Sequence, residues 1–248
     1  MMSPWFEADW PAPQGVRALS TLRGDPRSGI SKAPFGCFNL GDHVGDDPAA
    51  VAENRRRLKV AAGLPSEPVW LTQVHGIGVA DLDSSATLGP ADAAIARGSA
   101  KVCAILTADC LPIVFAAVSG DTVAAAHAGW RGLAAGVIEA TVRAMGVPSE
   151  SLVAWLGPAI GPQHFEVGAE VRDAFLAGNP KANEAFEPNS RGRFMANLSM
   201  LARQRLQGLG VSRIYGGGEC TYAQADRYYS HRRDGVTGRQ ATLIWREG

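Results

Sequence analysis

Apolar residues are densest between Val102 and Gly132, where the chain reads VCAILTADCLPIVFAAVSGDTVAAAHAGWRG. Two apolar runs flank Ser119-Gly120-Asp121-Thr122, a strong turn signal, so the pattern predicts strands joined as a hairpin. Each run is interrupted by a group with its own chemistry. Cys110 stands at the break between LTAD and LPIVFAAV, and His127 ends VAAA just before Gly129-Trp130-Arg131-Gly132. A buried strand has no need to stop on a thiol or an imidazole. The plain alternatives are a small core cysteine and a hydrogen-bonded core histidine.

Elsewhere the pattern changes period. Asp47-Pro48 opens a helix, with an acid at the N-cap and proline at the first helical position, and Gly63 ends it. Its apolar stripe is Val51, Leu58 and Ala62. Arg55 falls on that stripe, while Arg56 and Arg57 point elsewhere. VWLTQVHG (69–76) reads as a strand ending at His75, GVADLD as a further strand, and 91–97 as a polar-edged connector. A helix is predicted from about Arg131 to Met145, then a strand in LVAWLGPAIG, helices in FEVGAEVRDAFLAG and ANLSMLARQRLQGLG, and a closing strand in ATLIWRE. Strands and helices mix without strict alternation. The pattern therefore predicts an α+β fold, mixed β-sheets layered with outer helices, in one domain over 1–248.

The chain has 248 residues, 46% of them hydrophobic, and its 24 basic and 24 acidic side chains balance to zero net charge. A general nucleic-acid binder or anionic-membrane binder would carry a basic surplus. The longest apolar run is broken by Asp109 and Pro112 and is too short to span a bilayer. No basic head and apolar core mark a signal peptide at the N-terminus. The four cysteines, Cys37, Cys103, Cys110 and Cys220, form no CxxC and no disulfide framework. A cytoplasmic protein with reduced thiols is the expectation, acting on small molecules as a monomer.

Three candidate ligands share one context. His75, Cys110 and His127 are each read at a strand end, and ligands in open sheets gather outside the carboxyl ends of strands. Two imidazoles and a thiolate suit zinc with an open fourth position, which lowers the pKa of a bound water to ~7. The same set with a weak axial group suits copper. A competing chemistry needs no metal: Cys110 as nucleophile, with His127 as its base. The sequence carries no GxSxG, no HExxH, no P-loop and none of the nucleobase-deaminase zinc signature.

TQVHG, LTADCLPI, HAGWRG, GPAIGPQHFEVG and SHRRDGVTGRQA, with FNLGDHVGDDP and ENRRRL before them, together resemble the YfiH-type family, also called the laccase-domain or polyphenol-oxidase family. The resemblance covers about residues 35–245. It implies an α/β/β/α layered fold and a metal held by His75, Cys110 and His127. It implies phosphorolysis of adenosine, guanosine, inosine and methylthioadenosine, with adenosine deamination beside it. An older copper-oxidase label and a link to editing peptidoglycan precursors come with the family. The five histidines are too few for a multicopper cluster, although a single copper fits the same three ligands. One departure is Asn197-Leu198, where the family often has Asp-Leu; asparagine caps a helix equally well.

Other residues admit two readings each. Arg55 reads either as an arginine snorkelling from its stripe or as an inward cation that holds the phosphate and takes part in catalysis. Asn39 and His43 read as contacts to ribose or base, or as loop hydrogen bonding. Gln73, two before His75, shares its face on a strand and touches substrate or serves the sheet. Arg131 at a helix start could meet an anion or simply face solvent. Asp109 reads as a support for Cys110 or as a turn former. The nucleoside phosphorylase reading stands against a Cys110-dependent hydrolase, a single-copper polyphenol oxidase and a metal-binding interaction protein without turnover.

Overall fold

The computed structural model describes residues 3–84, 87 and 89–247. In chain order the elements are β1 (Trp5–Glu7), β2 (Val16–Thr21), α1 (Pro48–Ala61), β3 (Val69–Trp70), β4 (Val79–Asp81), β5 (Ala93–Ala96) and β6 (Val102–Thr107). They continue with β7 (Leu111–Ala117), β8 (Val123–Ala128), α2 (Trp130–Ala135), α3 (Val137–Met145), β9 (Leu152–Leu156), β10 (Glu166–Val167) and α4 (Ala169–Leu176). Then come β11 (Phe186–Pro188), β12 (Phe194–Ala196), α5 (Leu198–Gly208), β13 (Arg213–Gly216), α6 (His231–Asp234) and β14 (Gln240–Arg246).

Among the described residues the strands form a five-stranded sheet, β1-β2-β14-β6-β3, and a six-stranded sheet, β13-β9-β7-β8-β5-β4. A small sheet, β10-β12-β11, stands apart. Alternation along the strands assigns each face. On β7, Ile113, Phe115 and Ala117 face α2–α5, while Val114 and Ala116 face the other large sheet. On β6, Cys103 and Ile105 face inward between the sheets, while Val102, Ala104 and Leu106 meet Leu58 of α1. The layers are thus α1, sheet, sheet, helices, the α/β/β/α order expected. The inner strands are buried on both sides, which is why they read as continuous apolar runs. Filling those layers with side chains such as Phe115, fully buried, stabilises the fold by ~1.5–3 kcal/mol each.

Several elements differ from the sequence reading. Residues 91–97 are no connector: β5 is buried along its whole length, because AAIA is small enough for close approach on both faces. The strand expected over 69–76 is ordered as strand only at Val69–Trp70. The single helix expected from Arg131 is two, α2 and α3. They are broken at Gly136, whose φ of 104° is left-handed and ends one helix while starting the next. Of the segment FEVG, Glu166–Val167 form strand β10 and Gly168 caps α4, so the helix starts only at Ala169. The long apolar run breaks at Cys110 as expected, and its two parts lie in different sheets. It leaves the five-stranded sheet after Thr107 and enters the six-stranded sheet at Leu111, so Cys110 lies at a corner between sheets.

Candidate metal centre

The hairpin of β7 and β8 brings two of the three ligands together. Its register pairs Leu111 with Ala128 and Pro112 with His127, so Cys110, one residue before β7, emerges beside His127, one residue before the end of β8. His127 alone is at the carboxyl end of a strand. Cys110 precedes its strand, and His75 lies in an irregular segment. The expectation of three carboxyl strand ends therefore fails, because an antiparallel hairpin puts the start of one strand beside the end of the other.

His75 is brought in by a residue the sequence did not advertise. Asp92 precedes β5 and is fully buried. Its carboxylate accepts hydrogen bonds from the backbone N–H groups of Val74 (3.2 Å), His75 (2.8 Å) and Gly76 (2.7 Å). The same carboxylate lies 2.8 Å from His127 Nδ1, and the Asp92 carbonyl accepts from the His127 amide. One buried acid thus fixes the turn that carries His75 and turns the His127 ring so that Nε2 faces Cys110. His75 itself sits at φ 61°, unusual for a residue with a side chain and held there by these bonds.

The ligand atoms of His75, Cys110 and His127 all lie within 4.8 Å of one another. Cys110 Sγ is 3.8 Å from His75 Nε2, and the two imidazoles meet edge-on at 4.7 Å between centroids. Gly129 leaves this space clear: a Cβ there would stand 2.9 Å from Cys110 Sγ and 3.0 Å from His75 Cδ2. Electrostatics favour the ligating form of the thiol. Burial alone would push Cys110 up, but the His127 charge and hydrogen bonds from His127 and His75 outweigh it and bring the thiol down to about 6. Burial likewise works against a charge on His127, and Cys110 and Asp92 hold its affinity for a proton up instead. Two nitrogens and a thiolate, close enough to share an ion, with the His127 tautomer set from behind, form a donor set that fits a metal ion such as zinc or copper.

The structure places the other candidates as follows. Arg55 lies inward, with its side chain 15% exposed against 63% for Arg56. Its Nε and Nη2 both donate to the Leu40 carbonyl, Nη2 is 3.3 Å from Asp42, and the guanidinium lies over Trp70 at 4.3 Å. Arg56 and Arg57 pair instead with Glu53. Asn39 is fully buried and spends its side chain on Gly41, Asp46 and the Arg239 amide. His43 is exposed beside Asp42. Gln73 exchanges two hydrogen bonds with the Leu106 backbone, continuing by side chain the pairing that β3 and β6 begin. Arg131 is exposed and lies over Trp130. Asp109, at φ 90°, accepts from Thr221 Oγ1 (2.7 Å) and the Arg232 amide (2.7 Å), so it anchors the last part of the chain to the corner that carries Cys110.

Three contributors escaped the sequence reading. Asp92 stood in an alanine-rich segment without a motif. Asn54, fully buried on α1, holds Ile30 N, Ser31 Oγ and the Asn39 carbonyl. Arg239 is the cation electrostatically tied to the centre: burial pulls its pKa below the ordinary value, while the charges of Cys110 and Asp109 oppose that pull. TGRQA contained it, but a turn arginine carries no sign of its neighbours.

The family model described as multi-copper polyphenol oxidoreductase laccase matches residues 18–247. The chain belongs to this laccase family. A Pseudomonas aeruginosa relative named purine nucleoside phosphorylase is 54% identical over 245 residues, covering 98% of this chain and 99% of its own. An Escherichia coli relative, purine nucleoside phosphorylase YfiH, is 49% identical over 245 residues, covering 98% and 99%. The crystal structure of a Neisseria meningitidis protein superposes with a TM-score of 0.94 at 45% identity, covering 99% of this chain and 100% of the other. The family's description speaks of several coppers. Among the described residues of this laccase-family chain, the group of three or more clustered ligands is His75, Cys110 and His127. No helix of those residues is long and apolar enough to cross a membrane.

Proposed function

We propose that this protein is a zinc-dependent purine nucleoside phosphorylase that also deaminates adenosine. Its substrates on this reading are adenosine, inosine, guanosine and methylthioadenosine, with inorganic phosphate as second substrate. Relatives at about half identity carry the phosphorylase name. The observation that carries the reading is a His75–Cys110–His127 donor set with a buried acid behind it. His75, Cys110 and His127 would hold the zinc, which would supply a Lewis acid there.

The chain's own residues do the rest. Asp92 holds His127 in one tautomer and His75 in one backbone conformation, so the ligands are preorganised. Arg239 offers the positive charge that phosphate needs close to the reacting sugar carbon. Phosphate attacks that carbon and the purine leaves. Arg55, already bound to Leu40 and Asp42, acts by positioning the 39–43 loop against Arg239. In the deaminase reaction water replaces the amino group of adenine, and no anion has to be held.

The test separates the two reactions. With inosine, the zinc-loaded protein releases hypoxanthine only when phosphate is present and forms ribose 1-phosphate. With adenosine, ammonia release persists without phosphate. Free ribose in place of the sugar phosphate would make the protein a hydrolase instead.

A further inference from the structure

A second cysteine–histidine pair lies outside the metal centre. Cys220 Sγ is 3.6 Å from His164 Nδ1, and Tyr222 stacks on the His164 ring at 4.5 Å and 20°, fixing its orientation. Two backbone amides point at the same sulfur, Gly161 N at 3.2 Å and Ala223 N at 3.4 Å. The approach depends on glycine: a Cβ at Gly161 would lie 3.0 Å from Sγ. Both Cys220 and His164 are half-buried, and they line a cleft of about 500 Å³ whose rim includes Ser199, Arg203 and Gly218. The cleft contains none of the three candidate metal ligands.

The other thiols are set differently. Cys103 is wholly buried between the sheets, and burial pushes its thiol well up. Cys110 belongs to the metal centre. Cys37 is half-buried, and its side chain has none of the hydrogen bonds found among the described residues at Cys220.

We propose that Cys220 is a reactive thiol whose cleft admits small disulfides of the glutathione type and that it forms a mixed disulfide with them. His164 takes the Cys220 proton. The sulfur attacks one sulfur of the incoming disulfide, a new S–S bond forms, and the old one breaks. The departing thiolate receives the proton from His164, so one disulfide is exchanged for another and one thiol is released. The amides of Gly161 and Ala223 face the negative charge while it resides on Cys220. This site stands apart from the nucleoside chemistry, and its test does not depend on turnover.

The experiment incubates the metal-loaded protein with glutathione disulfide, quenches in acid at intervals and maps adducts by peptide mass spectrometry. Cys220 should gain the adduct about tenfold faster than Cys37. His164→Phe, which keeps a ring for Tyr222 to stack on, should slow Cys220 by about tenfold without slowing Cys37. Equal rates at Cys37 and Cys220 in the unaltered protein would overturn the proposal. So would an unchanged Cys220 rate in His164→Phe, or adducts confined to Cys110.

Discussion

Asp92 Oδ1 stands 2.8 Å from His127 Nδ1, in a carboxylate with no exposure to solvent. That bond leaves His127 Nε2 as the atom facing Cys110. The other bonds of the same carboxylate hold the backbone on either side of His75. A single acid therefore couples two of the three candidate ligands, which lie 52 positions apart in the sequence, through its own place before β5.

Asp92→Asn is expected to weaken zinc binding by ~10–100-fold. The amide cannot accept from all four donors, and its NH₂ would oppose either the His127 ring or the backbone amides. Competition with a chromophoric chelator measures the loss. Affinity equal to that of the unaltered protein would show that Asp92 serves only the fold.

Gly129→Ala is expected to empty the centre while leaving the protein folded. The new methyl would occupy the space among Cys110 Sγ, His75 Cδ2 and His127 Nε2. Metal content by mass spectrometry should fall well below one ion per chain, with the circular dichroism spectrum unchanged. Full metal content in the variant would mean the ligands can part to make room.

Arg55→Ala should lower stability by ~1–3 kcal/mol, since it strips the Leu40 carbonyl of both its donors and removes a cation from the face of Trp70. Arg56→Ala, with its side chain 63% exposed, should change stability by less than ~0.5 kcal/mol. Urea melts of the two variants check the ranking. Indistinguishable midpoints would contradict a positioning role for Arg55.

Arg239→Gln should raise the KM for phosphate by ~10-fold or more while leaving adenosine deamination nearly intact, because only phosphorolysis holds an anion. Steady-state kinetics with phosphate varied at fixed inosine read this out. A parallel loss of both activities would place Arg239 in support of the centre rather than at the phosphate.

Chelation should abolish turnover of both inosine and adenosine, and stoichiometric zinc should restore them. Retention of the ion should fall as pH drops, since a proton competes for each of the three ligand atoms. Full activity in a metal-free preparation would favour Cys110 as a nucleophile.

Much was legible from local chemistry. Asp47-Pro48 starts α1 as expected, with the Asp47 side chain accepting from the Ala49 amide, and Asn197 caps α5 in the same way. The Ser119–Thr122 turn lies between β7 and β8, and Arg55 lies inward, one of the two positions its helical stripe allowed. These features depend on neighbours within a few residues, so the order of residues along the chain determines them. Mixed sheets with outer helices were also visible through periodicity, the α/β/β/α order was implied by the resemblance, and the types of ligand were visible through side-chain chemistry.

Tertiary structure decided the rest, for reasons of contact between distant segments. Gln73 became a sheet partner because the backbone of β6 offers it a free amide and carbonyl at Leu106. Residues 93–96 became a strand because two layers close over small side chains. Asp92 acquired its role only when β5 paired with β8, which sets the acid beside His127. Arg239 came to lie against the 39–41 loop because Asn39 Oδ1 accepts from its backbone amide and its side chain packs on Gly41. Residue type along the chain determined which groups could bind an ion or an anion. Strand pairing and buried hydrogen bonds decided which of them meet, because those bonds form only between segments that folding has already brought together.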